Sequence, residues 1–122
     1  MSMQIIYGKV VNSEVVFEKG NRGVNLTEVL KKVCCDFFVE KKYMEDSEEI
    51  SYKTMDYDVV KEFLANLIEV ENKTWAEFKD AKGNTLKEEK GRQLKDFSLV
   101  KNQITGMLLQ DCDNSSKVLV LI

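Results

Sequence analysis

The chain has 122 residues, the length of one domain at about 100–200 residues each. With 43% hydrophobic and 32% charged residues it has ordinary globular composition and can bury a core. The formal net charge of −3, the pI near 5.1 and the presence of only two arginines, Arg22 and Arg92, argue against a basic nucleic-acid binder and against direct reading of DNA bases.

Gln4 to Val11, rich in Ile, Val and Tyr, predicts a strand. Asn12-Ser13 is a polar break, and Glu14 to Glu18 predicts a second strand, so the chain opens on a β-hairpin. Gly20-Asn21-Arg22-Gly23 reads as a flexible loop. Asn25 with Glu28 has the form of a capping box. Leu26, Val29, Leu30, Val33, Cys34 and Phe37 then recur at helical spacing. Glu45 to Glu49 is an acidic exposed segment, with a short edge strand after it over Ile50 to Lys53. Asp56 is placed to cap a helix with an apolar face of Val60, Phe63, Leu64, Leu67 and Ile68.

Thr74 with Glu77 suggests a separate short helix that buries Trp75 and Phe78 and stops at Gly83. Thr85 with Glu88 repeats the capping pattern, and Gly91 is expected to break or bend the next segment. Leu94, Phe97, Val100, Ile104, Met107 and Leu108 mark a long amphipathic helix. After a loop from Asp111 to Ser116, Val118-Leu119-Val120-Leu121-Ile122 is a strand without alternation, so both its faces should be covered. The expected fold is one α+β domain over residues 1–122. A small antiparallel or mixed sheet, formed by the N-terminal hairpin and the C-terminal strand, is covered by three to four helices. The long helix and the terminal strand together offer enough apolar surface to predict a homodimer.

No histidine is present, which removes the commonest general base and metal ligand and rules out Ser-His-Asp and Cys-His catalysis. No metal site, cofactor or catalytic set is expected. Asp111-x-Asp113-x-Ser115 lacks the central glycine and terminal glutamate of a calcium loop. Cys34, Cys35 and Cys112 form an odd set with two adjacent members, a poor disulfide framework that points to a reducing compartment. Apolar runs are too short to span a bilayer. Met1-Ser2-Met3-Gln4 lacks the features of a signal peptide, so a cytoplasmic location is expected.

Charge is unevenly distributed. Asp36 to Asp58 holds eight carboxylates against three lysines, whereas Lys79 to Lys95 holds six cations against three carboxylates. This asymmetry points to two function classes. In the first, the chain is a small intracellular binding protein that occupies a partner surface, as inhibitors, immunity proteins, antitoxins and phage anti-defence proteins do. Its contact residues would be Glu45, Asp46, Glu48, Glu49, Asp56 and Asp58, and its partner a basic protein such as a nuclease or toxin. In the second, an oligomeric domain holds an anionic small molecule or nucleotide through Gly20, Asn21, Arg22, Gly23, Lys82, Lys90 and Arg92.

Overall fold

The computed structural model describes residues 3–122; Met1 and Ser2, part of the start read above for a leader, lie outside the described residues. In chain order the elements are β1 (Gln4–Val11), β2 (Glu14–Phe17), β3 (Val24–Asn25), α1 (Glu28–Cys34), β4 (Val39–Glu45) and β5 (Glu48–Asp56). They are followed by α2 (Tyr57–Asp80), α3 (Asn84–Leu108) and β6 (Lys117–Leu121). The fold is α+β, as expected, but among the described residues the sheet has six strands and is antiparallel throughout, and three α-helices accompany it. Strand order is β2-β1-β6-β5-β4, with β3 beside the start of β1.

The terminal strand is the centre of this sheet. β6 lies between β1 and β5, and all five of its residues are buried. Its unbroken apolar run reflects that position. Leu119 and Leu121 join Ile5 and Met55 in the main core under the helices. Val118 and Val120 point to the opposite face by the period of two, yet they are 2% and 0% exposed.

The second face is covered by the sheet itself. On a flat sheet β2 and β4 would lie four strand spacings apart, about 19 Å. Instead β2 lies against β4, and the Met44 N–H donates to the Ser13 carbonyl at 2.8 Å. The sheet therefore coils into a partly closed barrel. Inside it Phe17 meets Tyr52 edge-on with ring centroids 6.3 Å apart, and Tyr43 packs beside Tyr52 at 6.2 Å. The Tyr43 hydroxyl pairs with the Thr54 hydroxyl at 3.0 Å, which satisfies both buried groups. Two cores, one under the helices and one within the coiled sheet, share β6 as a common wall.

Two tight hairpin turns shape this sheet. Asn12 and Ser13 have φ of 51° and 67°, and Asp46 and Ser47 have 49° and 67°. Positive φ at both central residues is the geometry that favours Asn-Gly and Asp-Gly. Serine carries a steric cost there. Ser13→Gly and Ser47→Gly should each raise stability by about 1 kcal/mol, seen as a higher urea midpoint with an unchanged denaturant slope.

The helices depart from several expectations. Asn25 belongs to β3, and Thr27 is the N-cap of α1, without a side-chain cap bond. No short helix begins at Thr74. The Thr74 hydroxyl donates to the Val70 carbonyl at 2.9 Å, one turn back, so α2 runs on without a break. Trp75 is 45% exposed rather than buried. Gly83, at φ 90°, is the N-cap of α3 and not the stop of α2, which ends at Asp80 with Ala81 as its C-cap. Gly91 does not break the next helix into two; it lies beside the Phe78 ring inside a continuous α3. Ile50 to Lys53 belongs to a longer, nine-residue strand: β4 pairs with all four residues, and β6 reaches only Lys53, so among the described residues Ile50 to Tyr52 are paired on one side alone. A single turn of 3-10 helix, Asn114–Ser116, interrupts the loop before β6.

Candidate functional site

Four of the six acids proposed for partner contact come together. Glu45 and Glu48 face each other across the β4–β5 turn, Asp46 occupies that turn, and Glu49 lies opposite Met44. All four are exposed. Only Glu49 has an ion-pair partner, Lys42 at 3.3 Å, among the described residues. Like charges directly opposite on adjacent strands destabilise a sheet, so the Glu45–Glu48 pair adds nothing favourable to the fold. The effect of this charge reaches inward. Burial, foremost, and then the Glu45 carboxylate hold the Tyr52 phenol above its ordinary pKa.

Asp56 and Asp58 are not part of this tip. Eight residues of strand, about 26 Å, separate Asp56 from Glu48 along β5. The Asp56 carboxylate accepts from the Lys41 ammonium at 2.6 Å, and this bond raises the lysine above its usual pKa. Asp56 is thus N-cap of α2 by position only, because its side chain is bound to Lys41. Asp58 sits in the first turn of α2, where a carboxylate suits the helix dipole.

The residues proposed for an anion divide in the same way. The loop Gly20 to Gly23 leads into β3 and not into a helix N-terminus. Asn21 is occupied by structure: its side-chain amide donates to the Tyr7 carbonyl at 3.4 Å and its oxygen accepts from Gln103 at 3.1 Å. Arg22 is exposed and lines a groove of about 410 Å³ with Asp96 and Leu99. Arg92 lines an adjoining groove of about 590 Å³ that shares Asp96 and Leu99. Neither arginine forms an ion pair among the described residues. Lys90 is held by Glu77, and Lys82 is exposed in the α2–α3 connection. Glu28, Glu89 and Asp96 line the larger groove too, so its charge is mixed. Burial, opposed by Lys95, raises the Asp96 carboxyl above its usual value.

The other chemical candidates are structural. Cys34 is buried, and its thiol is pushed up to about 12, by burial first and by neighbouring Cys35 second. A protonated thiol at this depth is a poor nucleophile. All three cysteines are free. Among the described residues, no group of three His, Cys, Asp or Glu side chains is placed to hold a metal ion. No helix among the described residues is long and apolar enough to cross a membrane.

Sequence patterns carried no sign of Gln103. Its amide bridges α3, the loop and β1: it accepts from the Tyr7 N–H at 3.1 Å and donates to the Arg22 carbonyl at 2.9 Å. At Tyr7 the edge of β1 has passed β3 and not yet reached β2, so no strand serves its backbone there. The Asn21 and Gln103 side chains fill that gap. No protein-family model, no curated protein and no solved structure matches the chain.

Proposed function

We propose that this chain is a small cytoplasmic binding protein that acts without catalysis by occupying the surface of a basic protein partner, as inhibitors of the immunity, antitoxin or anti-defence kind do. The observation that supports this reading is the acidic tip. Glu45, Asp46, Glu48 and Glu49 are gathered on one tight turn, exposed, with a like-charged cross-strand pair that the fold itself does not need. Such a charge cluster raises the rate of encounter with a basic surface. Free thiols, two of them not fully buried, suit a reducing compartment. The contact set narrows to these four acids, since Asp56 is bound by Lys41 and Asp58 lies beside it in the first turn of α2, at the other end of β5 from the tip.

The second reading, an anionic small molecule held by the oligomer, draws on Arg22 and Arg92 in adjoining grooves along α3. One experiment separates the two. Wild type, the triple variant E45K/E48K/E49K and the pair R22A/R92A are used as bait in a native host lysate at low salt. A basic protein held by wild type and R22A/R92A, and lost by the triple variant, supports the inhibitor reading. Retention by the triple variant with loss in R22A/R92A transfers the site to the grooves. The reversed residues are exposed, so the triple variant should keep its stability within about 1 kcal/mol, checked by thermal unfolding.

A further inference from the structure

The outer edge of the sheet carries a strand that is complementary to itself. β4 has β5 on one side and, among the described residues, no strand along most of the other. The two-residue turn makes Glu45 and Glu48 a hydrogen-bonded pair. By alternation the backbone groups of Val39, Lys41 and Tyr43 serve β5, while those of Glu40, Lys42 and Met44 point outward. The Met44 N–H, which reaches the Ser13 carbonyl at 2.8 Å, shows this phase directly. Beyond that bond, Val39 to Lys42 are all exposed, and Val39 is 56% exposed.

We propose that β4 pairs antiparallel with β4 of a second copy about a two-fold axis at Lys41. In that register Glu40 lies opposite Lys42 of the second copy, and the pair occurs twice. Both residues carry outward backbone groups, so each pair exchanges two N–H···O=C bonds and joins opposite charges. Val39 falls beside Tyr43 of the second copy. Lys41 meets its own symmetry mate, but its charge is already bound by Asp56 at 2.6 Å. Glu40 has no ion-pair partner within its own chain among the described residues, and the Lys42 ammonium, 3.3 Å from Glu49 in an exposed pair, is free to share its charge with Glu40 of the second copy. Neighbouring registers of the same bonding phase are worse. An axis at Lys42 sets Lys42 against Lys42, and one at Glu40 sets Glu40 against Glu40.

Of the two surfaces expected from sequence for a dimer, the terminal strand is excluded, because β6 is interior and cannot bind a second chain. The paired segment stops at Tyr43, which leaves both acidic tips free. A five-residue strand pair is small for a stable interface, so the dimer is weak and concentration-dependent.

Sedimentation velocity of the full chain at low salt, from micromolar to millimolar concentration, tests this. Wild type should show a monomer–dimer equilibrium. Glu40→Lys and Lys42→Glu, each alone, should weaken it about tenfold, and the double variant E40K/K42E should restore it. Both positions are exposed, and thermal unfolding of each variant verifies that the fold persists. A wild type that stays monomeric, a dimer indifferent to both single changes, or a double variant that fails to recover overturns the proposal.

Discussion

A chain lacking Lys117 to Ile122 should fail to fold. The deletion removes the strand that joins β1 to β5, so the ladder breaks into β3-β1-β2 and the β4–β5 hairpin, which then meet only where β2 lies against β4. Val118, Leu119, Val120 and Leu121, all 6% exposed or less, leave the two cores together. At about 1.5–3 kcal/mol per buried large side chain, the loss is about 6–12 kcal/mol. The whole stability of a domain is about 5–15 kcal/mol, so little or none remains. The buried ammonium of Lys117, which donates to the Leu108 carbonyl at the end of α3 at 2.8 Å, goes as well. Circular dichroism and thermal unfolding provide the check. The truncated chain should be insoluble or lack a cooperative transition; a soluble product with the wild-type midpoint would contradict the central place of β6.

Gln103→Leu should cost about 2–4 kcal/mol, large for one substitution of similar volume. The leucine leaves the Tyr7 N–H and the Arg22 carbonyl without their side-chain partner. An unsatisfied buried polar group costs about 1–3 kcal/mol, and here two are exposed to that loss at once. Asn21 loses its partner too, so the loop that holds Arg22 should loosen. Gln103→Glu is the informative control, because it keeps the acceptor for Tyr7 and removes the donor to Arg22. Urea unfolding should rank wild type above the glutamate variant and that above the leucine variant. A leucine variant of wild-type stability would mean that water serves the gap in β1 as well as Gln103 does.

How much of this was legible in the sequence depends on the range of the interaction. The opening hairpin, the apolar face of α2 (apart from Ile68, which is 40% exposed) and the buried terminal strand arise from local periodicity, which is carried by a few neighbouring residues. The run Val118 to Ile122 announced burial on both faces because no polar residue alternates within it; this holds for Val118 to Leu121, while Ile122, past the end of β6, is 55% exposed. Misread positions turned on choices that local pattern leaves open. Thr74 and Thr85 resemble helix caps, yet a threonine inside a helix bonds back one turn, as Thr74 does. Gly91 reads as a breaker, but one glycine costs a helix only about 1 kcal/mol, which the packing of α3 along the rest of its length outweighs. The coiling of the sheet was not legible, because it rests on contacts between distant strands such as Met44 with Ser13. For the site, the charge count found the acids at residues 45–49. It could not separate them from Asp56, whose neutralisation by Lys41 needs β4 and β5 side by side.

The decisive quantity for the inhibitor reading is the association rate constant with the captured partner, measured by stopped flow over a series of salt concentrations. Exposed charges contribute through long-range attraction that salt screens within about 10 Å at 0.1 M ionic strength. Wild type should associate fast at low salt and slow steeply as salt rises. The variant E45K/E48K/E49K should associate slowly, with a flat or reversed dependence, while R22A/R92A behaves as wild type. An association rate that is indifferent to salt in wild type, or unchanged by reversal of the tip, would contradict a partner surface built on Glu45, Asp46, Glu48 and Glu49.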